Sequence, residues 1–256
     1  MKTIVKISLI LLSTLVLSGC IQGMGKVSAQ QESAMGRQQE RQVLSKMKTI
    51  TSGKYYQAVR AVGRHIASVS QRPNFQWRYH LINNPKQANA FVLPGGKVFV
   101  YTGLFKYAAN RSELAAVIGH EVAHALKSHG VKGAQRKQKA GLLGAALQIG
   151  MGIAGVNGQT AQQINQIYGQ GASLGYINPY SRKQESQADT IGLILMAKAG
   201  YDPRAALSFW KKFATSGRRV PEYLSTHPAP ATRIKQIQQL MPKALAAYKA
   251  SKRKRR

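Results

Sequence analysis

The sequence predicts an α+β fold, mostly helical, with a small β-sheet next to one central helix. Three observations carry that expectation. Apolar residues recur at helical spacing in several segments, as at Tyr55, Val59, Val62 and Ile66. One central stretch alternates instead: Phe75, Trp77, Tyr79 and Leu81 interleave with Gln76, Arg78 and His80. Finally, His120-Glu121-Val122-Ala123-His124 places two histidines four apart, on one face of a helix.

At the N-terminus, Lys2 and Lys6 precede the apolar run Ile7 to Leu17, which reads as a secretory signal peptide over residues 1–19. Leu17-Ser18-Gly19-Cys20 resembles the bacterial lipobox, in which cleavage leaves Cys20 as the lipidated N-terminus. Cys20 is the single cysteine, so no intrachain disulfide forms, and lipidation explains an exported chain with one thiol. A plain cleavable signal with a stray cysteine is the alternative. Ile21, where enteric bacteria use aspartate for inner-membrane retention, favours the outer membrane as destination.

Residues 20–50 are rich in Gln, Ser, Gly and Lys and read as a tether or a loosely docked helix. A metal-dependent domain is expected over 51–248, with a basic tail over 249–256. Inside it, Tyr55 to Val69 predicts a helix, and the alternating stretch predicts a half-buried strand whose His80 faces solvent. Residues 89–101 predict two short strands about a Pro-Gly-Gly turn. Pro94 suits an edge strand, and a free edge could lay a peptide over the metal through Phe91, Val92, Leu93, Gly95 and Gly96. An ordinary hairpin is the other reading.

The metal helix starts at Asn110, with Glu113 completing a capping box, and is expected to stop at Gly130. Gly119 leaves room beside His120 for a second element. The imidazoles of His120 and His124 can converge on one zinc ion, with Glu121 rotated aside to act on a bound water. Chance could place such a motif on a helix of half-buried histidines, but only eight Asp and Glu occur in the chain, and three are Glu121, Glu185 and Asp189. Glu185 and Asp189 are four apart on a second helix, so Glu185 can be the third ligand and Asp189 can orient a ligand histidine. The HExxHxxGxxH pattern does not fit, because Lys127 and Gly130 stand where Gly and His are needed. His129, one position early, is expected to point away.

Ala140 to Val156 is an apolar run with five glycines, read as a packed helix or a membrane-contacting one. Residues 157–180 read as a loop or a lid, and the whole segment 140–180 could be a plug holding the cleft shut. Asp202-Pro203 opens a further helix in which Phe209 and Trp210 read as core.

The segments NAFVLPGGKVFVYTGL (89–104), ELAAVIGHEVAHALKSH (113–129), SRKQESQAD (181–189) and STHPAPATRI (225–234), in that order, resemble the metallopeptidases that include HtpX and the CAAX prenyl protease. More closely they resemble the periplasmic lipoprotein members LoiP and BepA, over residues 50 to 245. The resemblance implies a gluzincin domain with one zinc per chain held by His120, His124 and Glu185, and Glu121 as general base. It places His227 and Arg233 near the site. His227 is the candidate oxyanion donor and Tyr180 the reserve, with loop packing the alternative for His227 and a surface or salt-bridging role for Arg233. The implied function is a zinc endopeptidase of damaged or misfolded envelope proteins; the competing one is a chaperone-like assembly factor with latent hydrolysis.

The net charge of +30 exceeds what solubility requires. Attraction to anionic lipid or lipopolysaccharide and adaptation to an acidic exterior both account for it. Nucleic acid is not expected, for the chain carries no recognisable nucleic-acid motif. Protein substrates and the membrane are the expected partners, on the periplasmic side of the envelope.

Overall fold

The computed structural model describes residues 27–72, 74–136, 138, 180–215, 227 and 230–253. The chain divides into two compact units, residues 1–28 with 135–171 and residues 29–134 with 172–256, and all elements below lie in the second. Of the first unit, residues 135, 136 and 138 are helical. The expectations for the signal segment and Cys20, for the run 140–156 and for residues 157–179 fall outside the described residues.

The second unit runs α1 (Ala29–Lys46), β1 (Thr49–Ile50), α2 (Gly53–Ser68), β2 (Arg78–Ile82), β3 (Ala90–Leu93), β4 (Lys97–Tyr101), a 3₁₀ turn, α3 (Arg111–Leu126), α4 (Arg182–Lys198), α5 (Arg204–Ala214) and α6 (Pro230–Arg253). The expected α+β, mostly helical architecture with a small sheet is what forms. The sheet order is β1-β2-β4-β3, with β2 and β4 parallel and the other pairs antiparallel. β3 is therefore an edge strand among the described residues.

Strand alternation divides the sheet into two faces. Tyr79, Leu81, Ala90, Val92, Val98 and Val100 join the main core with residues of α2 and α3. Ile82, Phe91, Leu93, Phe99 and Tyr101 form a second cluster with Val43 of α1. The Phe91 and Phe99 rings stack at 4.8 Å. The β3–β4 turn uses Gly95 (φ +68) and Gly96 (φ +86), a left-handed pair that glycine adopts freely.

α1 buries Glu32, Gly36, Glu40 and Val43, one stripe of the helix. A Cβ on Gly36 would lie 1.9 Å from the Pro94 carbonyl oxygen, so the helix rests directly on the hairpin turn. Glu40 reaches down to His80 Nε2 at 2.7 Å and to Arg78 at 3.4 Å. This corrects the reading of His80 as solvated: its ring stacks on Phe99 at 4.6 Å beneath α1. Alternation alone left that face open to water, because the covering stripe contains two glutamates and a glycine.

At the start of α3, Asn110 Oδ1 accepts from the Glu113 N–H at 2.9 Å. The Glu113 carboxylate accepts from the Ala109 N–H and pairs with Lys212 Nζ of α5 at 2.6 Å. The helix ends at Leu126 rather than at Gly130, because Ser128 takes a left-handed turn (φ +50) and helix resumes at His129. α4 opens on a capping box made by Ser181 and Gln184. α3 and α4 cross where Gly119 meets Gly192: a Cβ on Gly119 would lie 2.8 Å from the Gly192 carbonyl oxygen. α5 and α6 close the core with Phe209, Phe213 and Ile237. No described helix is long and apolar enough to cross a membrane.

Candidate metal centre

The α3–α4 crossing brings the histidine motif of α3 and the acidic motif of α4 face to face. His120, His124 and Glu121 come from α3, Glu185 and Asp189 from α4, and all are 4 % exposed or less. His227 joins them fully buried. One ligand atom each from His120, His124, Glu185 and His227 lies within 4.8 Å of the others. His120 Nε2 is 2.9 Å from His124 Nε2 and 3.1 Å from His227 Nδ1. Glu185 Oε1 is 3.0 Å from His227 Nδ1 and 3.3 Å from His124 Nε2.

Behind these donors stands a charged clamp. His120 Nδ1 lies 3.0 Å from Asp189 Oδ1 and 2.9 Å from Arg233 Nη2, which leaves the Nε2 side of that ring facing the cluster. Arg233 of α6 grips Asp189 with Nε at 2.7 Å and Nη2 at 2.5 Å, and holds Glu185 Oε2 with Nη1 at 2.9 Å. The guanidinium lies 3.8 Å over the Trp210 ring, so Trp210 of the core also backs the site. Tyr180 stacks on His124 with centroids 3.8 Å apart. Glu121 Oε1 is 3.5 Å from His227 Nε2.

The electrostatics favour a cation. Burial works against charge on His120, as does Arg233, yet Glu185 and Asp189 raise it to about 9. Burial takes His124 well below its ordinary value and His227 down to about 4. For Glu185, burial opposes ionisation, but His120 and His227 hold the carboxylate far below its ordinary range. The protein thus gathers the neutral rings of His124 and His227 and a protonated His120 around ionised carboxylates. A divalent cation satisfies that donor set.

The expected substrate strand is placed differently from the site side chains. Phe91, Val92 and Leu93 are buried in the two sheet faces, and Gly95 and Gly96 pack against Ser33 and Trp77. What β3 can offer a peptide is the backbone edge that no other strand pairs among the described residues.

A family model, peptidase family M48, matches residues 54–241. The chain belongs to peptidase family M48. The resemblance read from the four motifs holds at this level; the family is metal-dependent, and the buried cluster is a group able to bind a metal. Among curated relatives, the mitochondrial metalloendopeptidase OMA1 of Schizosaccharomyces pombe is 34 % identical over 189 residues, 73 % of this chain and 53 % of that one. The beta-barrel assembly-enhancing protease of Yersinia pestis is 32 % identical over 221 residues, 81 % of this chain and 43 % of that one. Its namesake in Escherichia coli is 30 % identical over 214 residues, again 81 % and 43 %. The chain thus spans about half the length of these relatives, or less.

The sequence reading missed one neighbour of this cluster. His129 does not point away: its Nδ1 lies 2.9 Å from His124 Nδ1, and its Nε2 lies 3.1 Å from Gln187 Oε1. An uninterrupted helix would carry His129 round to another face. The left-handed Ser128 breaks the helix and swings it back.

Proposed function

We propose that the chain is a zinc endopeptidase that hydrolyses peptide bonds of misfolded or damaged envelope proteins. The convergence of His120, His124, Glu185 and His227 carries this reading. Nitrogen and oxygen donors around a tetrahedral zinc, bonded at about 2.0–2.1 Å, stand roughly 3.3–3.4 Å apart. The four donor pairs described above are 2.9–3.3 Å apart, in a set whose atoms all lie within 4.8 Å of one another.

A zinc ion held there supplies Lewis acidity and brings a water's pKa near neutrality. Glu121, on the same helix between the two histidines, takes the water's proton and passes it to the leaving amine. Asp189 and Arg233 keep His120 and Glu185 aimed. The free edge of β3 pairs with an extended substrate and brings its carbonyl to the site. With a zinc ion bound, His227 would be a fourth donor and its ring would occupy the place a hydrolytic site leaves to water, so it would have to withdraw to admit water and substrate. This closure also favours a second reading, a chaperone-like assembly or quality-control factor whose hydrolysis stays latent.

The lipobox at Cys20 supports anchoring in the outer membrane, facing the periplasm. The bacterial relatives' names accord with an envelope role, whereas the OMA1 relatives are mitochondrial. A basic surface adds attraction to anionic lipid. Of the described acidic residues, Glu32, Glu40, Glu113, Glu121, Glu185 and Asp189 are buried, and Asp202 is paired with Arg204 at 2.5 Å. Exposed lysines and arginines such as Arg41, Arg60, Lys127 and Lys235 therefore carry the surface charge largely unopposed.

Casein hydrolysis with and without a zinc chelator, beside an aggregation-suppression assay on Glu121→Gln, tests the function. Chelator-sensitive cleavage that Glu121→Gln lacks supports the peptidase. Client holding with no cleavage under any condition supports the second reading.

A further inference from the structure

The two α3 ligands are supported unequally. His120 has a carboxylate, Asp189, on its outer nitrogen. The outer nitrogen of His124, Nδ1, meets another ring nitrogen instead, His129 Nδ1 at 2.9 Å. His129 is 2 % exposed, and its far nitrogen, Nε2, faces Gln187 Oε1 at 3.1 Å. We infer that His129, fixed by Gln187, is a positioning residue that sets the tautomer and ring orientation of His124 for metal binding. The inference rests on the metal-site reading above.

The protons on this chain of atoms have one consistent arrangement. A neutral His124 that ligates through Nε2 must carry its hydrogen on Nδ1. That N–H needs an acceptor, and the atom it meets is His129 Nδ1, which must then hold a lone pair. The hydrogen of a neutral His129 therefore sits on Nε2, where it donates to Gln187 Oε1. Two directed hydrogen bonds run outward from the ligand ring, and both end on neutral acceptors. A carboxylate in place of His129 would also orient His124, but it would add a negative charge beside Glu121, Glu185 and Asp189. A neutral imidazole orients the ligand without that repulsion.

The backbone is arranged to put His129 there. Ser128 occupies the left-handed region (φ +50), which side-chain-bearing residues rarely adopt. Its hydroxyl donates to Glu32 Oε2 of α1 at 3.0 Å, tying the turn to the helix above it. Gln187 comes from α4, two residues past the ligand Glu185. The segment just after α3 and the helix α4 thus both contribute to fixing His124.

The test measures zinc affinity, by competition with a chromophoric chelator, for the full chain and for His129→Phe, His129→Gln and Gln187→Leu. Outer-sphere partners of metal-bound histidines typically account for about 10- to 100-fold in metal affinity. His129→Phe is expected to weaken zinc by that factor and Gln187→Leu by less. His129→Gln, whose side-chain oxygen can accept from Nδ1–H, should recover most of the loss. Thermal unfolding of the metal-free proteins shows whether each variant folds. Nitrogen-15 NMR of the zinc-loaded parent reads the tautomers without any substitution: His124 is expected as Nδ1–H and His129 as Nε2–H. A folded His129→Phe with undiminished zinc affinity, or the opposite tautomer on His129, overturns the inference. A parent chain that binds no zinc overturns the metal-site reading as well, so the two failures are distinguishable.

Discussion

Gly119 and Gly192 meet backbone to backbone at the α3–α4 crossing, and a Cβ on Gly192 would sit 2.7 Å from the His120 amide nitrogen. The amide of His120, a member of the buried cluster, thus packs directly on the helix that supplies Glu185 and Asp189. Adding even one methyl group forces the helices apart. Gly192→Ala is expected to destabilise the fold by about 1–3 kcal/mol, as overpacked cores do. It should also weaken zinc binding, because Glu185 and Asp189 move with α4. Urea unfolding of the metal-free protein and a zinc titration check the two effects separately.

His227 gives a prediction whose sign separates two roles. As a fourth donor it blocks the site, so His227→Ala should retain one zinc per chain and hydrolyse casein faster than the parent. As the oxyanion donor read from the sequence, its loss would instead lower kcat by about 10²–10³. Steady-state hydrolysis with measured metal content distinguishes them.

Arg233 is 3 % exposed and faces two buried carboxylates, Asp189 and Glu185. Removing one partner of a buried ion pair strands the other, at a cost of about 3–5 kcal/mol. Arg233→Met is expected to lose stability of that order in chelator-treated protein, as read by urea unfolding. A loss under 1 kcal/mol would show that the clamp is dispensable to the fold.

Acidity should act on metal binding in a defined window. The metal-free site holds a proton on His120 up to about 9, while His227 stays neutral down to about 4. Zinc must displace the His120 proton, so between those limits its affinity should fall roughly tenfold per unit of acidification. Below about 4 a second displaced proton steepens the fall. The stability of the metal-free fold follows linkage: the raised His120 contributes stability present below its ordinary 6.5 and lost as pH rises through about 9. The depressed His227 removes stability as pH falls from 6.5 toward about 4. Chelator competition across pH checks the first statement, and urea unfolding in chelator the second.

Much of the centre was legible because metal chemistry restricts residue type and spacing together. His120 and His124 at four apart, and Glu185 and Asp189 at four apart, each specify one face of a helix. The α1 stripe was not legible, since Glu32, Gly36 and Glu40 are polar or featureless to a hydrophobic pattern, although they pack on the sheet and its hairpin turn. His80 was misread for the same reason. His129 escaped because its position depends on a left-handed Ser128, a conformation that serine's presence does not announce. The edge position of β3 was foreseen through Pro94, but the burial of Phe91, Val92 and Leu93 on both faces was not, because α1 was not expected to cover one of them.

X-ray absorption at the zinc edge, with metal stoichiometry, tests the central claim most directly. One zinc per chain with only nitrogen and oxygen donors at about 2.0–2.1 Å, three of them imidazoles, is the expected result, together with loss of the metal in Glu185→Ala. A zinc shell containing sulfur, fewer than two imidazoles, or stoichiometric zinc unchanged in both affinity and shell by Glu185→Ala would contradict it.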